Sequence, residues 1–244
     1  MRKYGWKKNP DGLVLPKYSE SKFFKVMELP SSVDLRSSDS PILDQGQLGS
    51  CTANGIGGCI NFIQRGFMAS RLFIYFNERL SEGTIGDDAG ANIADGITSV
   101  QTQGVCDESI WPYDISQFTT PPPASAYEVA LKDIVTDYLS CSTVLEIKNC
   151  LASGFPVVFG MTVFASFESE ETASTGVVPM PAEGEEQLGG HCMKIVGYDD
   201  ANARVIVANS WGTGWGDKGY CYIPYAFIDA YASDFGTIRR DTGE

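Results

Sequence analysis

The apolar residues of this chain change their period once, near residue 120, and that change limits the folds open to it. Before it they recur at helical spacing. From Cys51 onward, positions 56, 60, 63 and 67 share one face, with Gly66 as a stop. RLFIYFNERL (71–80) predicts a second helix. ANIADGITSVQTQ (91–103) predicts a third, in which Ile93, Ile97 and Val100 line up. After the change one helix is expected, at 143–152, and strand signals dominate. PVVFGMTVF is β-branched and aromatic, HCMKIVGYDD and RVIVANSW can pair across the turn DANA, and GYCYIP follows. The three prolines of FTTPPPASA (118–126) read as an extended connector. Helices first and strands second predict an α+β chain of two lobes, the second a barrel or strongly bent sheet, with a groove between them. The expected division is a leader over 1–29, a mainly helical lobe over 30–118 and a mainly β lobe over 119–244. No internal repeat is present.

Charge and cysteines narrow the function. The 244 residues suffice for a sizeable core, and no run of about 18 apolar residues predicts a membrane span. A net charge of −13 argues against a nucleic-acid partner. The charge is uneven: residues 1–25 hold seven Lys and Arg against Asp11 and Glu20, while the rest carries 11 basic and 29 acidic residues. Such a cationic leader either docks on the acidic body or forms a solvated tail. It has no continuous apolar stretch of the kind a secretory signal carries, so the expected location is inside the cell unless a signal has been removed. Seven cysteines (51, 59, 106, 141, 150, 192, 221) leave at least one free thiol, and six others would allow fifteen pairings. With a single histidine and no CxxC, neither a metal site nor a cofactor is expected.

Within DQGQLGSCTANG (44–55), Cys51 stands where a glycine-bearing loop gives way to a helix, so its sulfur lies near the positive end of the helix dipole. Cys59, on the same helix, reads as a buried structural thiol. His191 enters a predicted strand after Gly189 and Gly190, 140 residues beyond Cys51. Asn209 and Trp211 follow at the end of the next strand. An asparagine oxygen bound to one ring nitrogen would fix the tautomer and leave the other nitrogen to face sulfur, with the tryptophan keeping water away.

These segments, in this order, resemble the papain family of cysteine peptidases, for which a Cys-to-His interval of roughly 130–150 residues is already a known spacing. LPSSVDLR (29–36) resembles the start of the mature enzyme, and QGQLGSC (45–51) the oxyanion glutamine and nucleophile. DDAGANI (87–93) resembles a substrate-binding glycine segment, GVCDESIWPYD (104–114) the close of the first lobe, and GGH…VGY with NSWGTGWGDKGY the base and its asparagine. The YGW leader, SVDLR and GSCTAN are most similar to the bacterial-type, xylellain-like branch. Two positions depart: Leu48 and Thr52 stand where the family usually has a cysteine and an aromatic. The disulfide that anchors the active-site loop is therefore not expected, and the family's other bridges are not carried over.

The resemblance implies an endopeptidase in which the Cys51 thiolate, paired with protonated His191, attacks a peptide carbonyl. Cys51 N–H and the Gln45 side chain would hold the oxyanion, Asn209 would orient His191, and Trp211 would shield that contact and line the leaving-group side. Gly90 and Gly190 are candidates for binding substrate backbone, though Gly90 also reads as a simple turn. The lysine- and arginine-free stretch 167–186 is either a solvated loop or an acidic overhang of the cleft, and Ser233 and Asp234 are candidates near a specificity pocket. The leader would cross the cleft as an inhibitor and be removed near Leu29–Pro30. The expected partners are a peptide or protein substrate and the leader itself, in a monomeric zymogen. An exopeptidase, a transpeptidase, and a silent peptide-binding member are the alternatives.

Overall fold

The computed structural model of the protein describes residues 3–132 and 137–239. Arg2, counted in the basic leader, lies outside the described residues. After a two-residue strand β1 (Trp6–Lys7), the leader runs to β2 (Ser32–Asp34). The helices α1 (Cys51–Ile63) and α2 (Arg71–Glu82) come next, then β3 (Ala91–Asn92), α3 (Ile93–Thr102) and α4 (Ala124–Ala130). The sheet half comprises β4 (Asp137–Ser140), α5 (Val144–Ala152), β5 (Val157–Phe164), α6 (Glu170–Thr175), β6 (Gln187–Asp199), β7 (Arg204–Ala208), β8 (Tyr220–Pro224), α7 (Tyr225–Tyr231) and β9 (Ala232–Arg239).

Local chemistry sets the helix ends. Ser70 caps α2 by accepting from Phe73 N–H, and Gly83 closes it in the left-handed region at φ 71°. Asn92 and Thr143 cap α3 and α5 in the same way, accepting from the amides of Asp95 and Glu146. Helix α1 stops at Ile63, ahead of Gly66. The proline run leads directly into α4, whose Ala126 and Ala130 are buried in the helical core, so the helical half takes in residues past the prolines.

Among the described residues, seven strands form one antiparallel sheet in the order β4-β9-β5-β6-β7-β8, with β2 pairing along the far end of β6. Strands β6 and β7 pair across residues 200–203, as the sequence predicts. The ladder shifts register between Val163 and Phe164 of β5 and between Ile195 and Gly197 of β6. One apolar core lies within the sheet half, around Phe159, Met161, Tyr198 and Phe227. A second fills the helical half, around Ile56, Leu72, Tyr75 and Ile97, and takes Val158, Cys192 and Ile238 from the sheet. Among the described residues no helix is long and apolar enough to cross a membrane.

Helix α1 joins the halves because its two faces differ. Ile56 and Ile60 point into the helical core. Gly55 and Gly58 share a stripe with Cys51 and lie against β6, where a Cβ on Gly55 would sit 2.8 Å from the Cys192 sulfur and one on Gly58 3.5 Å from Lys194 Nζ. Their missing side chains let helix and strand approach closely, and Lys194 fastens the contact by donating to Gly58 O at 3.1 Å and to Asp39. The face carrying Cys51 is thereby turned toward the strand carrying His191.

Candidate active site

Cys51 is the first residue of α1 and is fully buried. Burial pushes its thiol up to about 11, while the backbone N–H groups of Cys192, Gly5 and Thr52 oppose that rise. Two of these groups come from opposite sides of the groove: Cys192 is the neighbour of His191 on β6, and Gly5 belongs to the leader.

His191 is buried, and its Nε2 lies 2.8 Å from Asn209 Oδ1. The same oxygen accepts from Ser210 N–H at 2.8 Å, which fixes the asparagine. With Oδ1 as acceptor, Nε2 carries the proton, so Nδ1 is the ring nitrogen without it. The indole of Trp211 stacks on the imidazole, ring centres 5.0 Å apart, and is boxed by Phe167 and Trp215.

The Gln45 side chain is buried between the two halves. Its Oε1 accepts from Ser210 Oγ at 2.7 Å, and its Nε2 donates to Leu48 O at 2.9 Å and to Lys3 O at 3.2 Å. Its backbone N–H donates to Ser210 O, and its carbonyl accepts from Tyr113 OH. Ser210 thus bridges Gln45 and Asn209. Sequence reasoning passed over it; its only trace there is a hydroxyl between Asn209 and Trp211.

The leader lies along the groove that these residues line. Strand β1 pairs in parallel with β3, and Gly5 O accepts from Ala91 N–H at 2.8 Å. Gly90 has φ 67°, and a Cβ there would come within 2.0 Å of Gly5 O; one on Gly190 would come within 2.3 Å of Trp6 O. Both glycines therefore face leader backbone. The Trp6 ring covers Gly160 and Gly190, and Tyr4 stands edge-on to His191 with ring centres 6.1 Å apart. Lys3 pairs with Asp88 at 2.7 Å and Lys7 with Glu82 at 2.6 Å. Further along, Asp234 accepts from Asn9 N–H at 2.8 Å, and Ala94 N–H donates to Asn9 Oδ1. From the acidic stretch, Glu168 reaches this groove and accepts from Tyr4 OH.

The two positions that departed from the family pattern also have partners. Leu48 is buried and offers its carbonyl to Gln45. Thr52 donates to the fully buried Glu78 at 2.5 Å.

A cysteine thiol at a helix start, an oriented imidazole, and a buried amide donor at a groove filled by extended chain together define a peptide-handling thiol site. The family model for papain family cysteine proteases matches residues 29–228. The chain belongs to the papain family of cysteine proteases. It is similar to an uncharacterized peptidase C1-like protein of Acanthamoeba polyphaga mimivirus, 42% identical over 235 residues, covering 89% of this chain and 73% of that one. It is also similar to cysteine proteinase 3 of Entamoeba histolytica, 29% identical over 203 residues, covering 80% of this chain but under two thirds, 63%, of the amoebic protein. Among solved structures, xylellain, a cysteine protease from Xylella fastidiosa, superposes with a TM-score of 0.88 at 34% identity, covering 98% of this chain and 97% of that one. The chain is a papain-like cysteine peptidase of the xylellain-like branch.

Proposed function

We propose that the chain is a cysteine endopeptidase that its own leader holds inactive. Cys51 attacks the carbonyl carbon of a peptide bond, and the resulting oxyanion is held by Cys51 N–H and the Gln45 amide. His191 takes the thiol proton, returns it to the leaving amine, and then activates water to release the acyl group. Asn209 holds the imidazole in the tautomer this requires. Gly90, Gly190 and the Ala91 amide receive the extended substrate backbone, and Trp211 lines the leaving-group side.

The observation that carries the reading is the path of residues 3–7. Lys3 O lies on Gln45 Nε2 and Gly5 O on Ala91 N–H, so leader carbonyls take donors that a substrate would need. Gly5 of the leader packs on the backbone two residues before Cys51, where a Cβ on it would come within 1.7 Å of Gly49 O. The leader also continues on both sides of Cys51, with Tyr4 toward Trp211 and Trp6 toward Gly160. A groove that accepts chain in both directions favours an endopeptidase over an exopeptidase.

The test compares the full chain with one beginning at residue 30 on a fluorogenic peptide. Removal of the leader should raise turnover by about 100-fold, the order expected when a tethered ligand at millimolar effective concentration is lost. Equal rates would refute self-blocking, and no turnover by either form would refute the peptidase reading.

A further inference from the structure

The sequence leaves the pairing of its cysteines open, and in the structure all seven are free and buried. Two of them nevertheless face each other. Cys141, just past the end of β4, and Cys150, on α5, have their Sγ atoms 3.6 Å apart. A disulfide needs about 2.05 Å, so a combined sulfur movement of about 1.5 Å closes the gap. We propose that Cys141 and Cys150 form a reversible disulfide by exchange with a low-molecular-weight disulfide such as oxidised glutathione.

The surroundings assign the two thiols different parts. Cys141 lines the open groove between leader residues 8–17 and β4, together with Tyr138, Ser142 and Phe235. Cys150 is fully buried behind it. The contact with Cys150 and burial push the Cys141 thiol well up, and the guanidinium of Arg239 opposes that rise. The small fraction of Cys141 present as thiolate attacks one sulfur of the reagent, forming a mixed disulfide and releasing one small thiol. Cys150 then attacks the Cys141 sulfur, expels the second small thiol, and closes the bond. Two protein thiols are oxidised, one small disulfide is reduced to two thiols, and no other reactant is needed.

The bond would lie beneath the second half of the leader. Ser140 N–H donates to Pro16 O at 2.7 Å, Tyr18 OH donates to Asn149 Oδ1 at 2.9 Å, and Asn149 Nδ2 donates to Lys25 O at 2.8 Å. Strand β4 and helix α5, which hold that half, would become covalently joined.

The experiment uses the full chain carrying Cys51→Ala, so that no self-cleavage intervenes. The protein is equilibrated in glutathione buffers, alkylated without reduction, digested and mapped by mass spectrometry. A peptide pair linked through 141 and 150 is expected in oxidising buffer and should disappear on reduction. The oxidised form should also melt roughly 5 °C higher, as closing so short a loop predicts for a chain of this size, and Cys150→Ser should abolish the shift. Alkylation of both thiols in the most oxidising buffer, or linkage of either one only to a different cysteine, would overturn the proposal.

Discussion

Gln45 does two jobs through opposite ends of one amide. Ser210 holds its oxygen, which turns the nitrogen toward the cleft. Replacing it by alanine in the leaderless chain should lower kcat by about 100- to 1,000-fold, the usual cost of one oxyanion donor, with KM little changed. A loss confined to KM would show that Gln45 binds substrate without stabilising the transition state. Gly5 is the matching residue on the leader, since a Cβ there would come within 1.7 Å of Gly49 O. Gly5→Ala should therefore dislodge the leader at a cost of about 1–3 kcal/mol and raise the activity of the intact chain by roughly 10- to 100-fold. Parallel fluorogenic assays of the variant and wild-type full chains check this; an unchanged rate would mean that this segment does not govern access. Cys51, His191, Asn209 and Gln45 stand out in the sequence because their types and spacing are chemically unusual. Ser210 could not, because a serine becomes informative only when its two neighbours across the fold are known.

Helix α1 is the element on which the site depends, and both its faces matter. Toward β6 it is stripped to glycine. Toward α2 it carries Thr52, which donates to Glu78 in a fully buried setting. Burial pushes the Glu78 carboxyl up to about 8, with Glu82 and Asp95 adding to the rise and Thr52 and Arg79 opposing it. The folded chain thus keeps a proton that the unfolded chain releases near the ordinary glutamate value. The sign follows: Glu78 favours the folded state below about pH 4.5, and that contribution is lost as pH climbs toward about 8. Glu78→Gln should flatten the decline of Tm over this window, as measured by calorimetry at several pH values. Parallel pH profiles for wild type and variant would contradict it. Elements with a long, clear period, such as α2, α3 and the β6–β7 hairpin, were legible in the sequence. Strands β1 and β3 were not, since two residues carry no period and their pairing depends on the leader reaching the groove. Helix α4 was also hidden, because prolines that suggest an extended connector here precede its first turn.

For the whole molecule, the uneven charge seen in the sequence takes a definite form. The basic leader docks on the acidic body, with Lys3 and Lys7 meeting Asp88 and Glu82 on either side of the Gly5–Gly90 contact. Composition showed the asymmetry but left docking and a solvated tail equally open; the groove between the halves decides for docking. On the proposed reading, function follows from one seam that holds Cys51, His191 and the docked leader together. The most direct measurement is labelling with an epoxysuccinyl thiol inhibitor, followed by mass mapping of the adduct in the full chain and in a chain beginning at residue 30. Fast modification at Cys51 in the shortened chain, slow in the full one and lost in both with His191→Ala, is the predicted result. An adduct on another cysteine, or equal rates at Cys51 with and without the leader or His191, would contradict it.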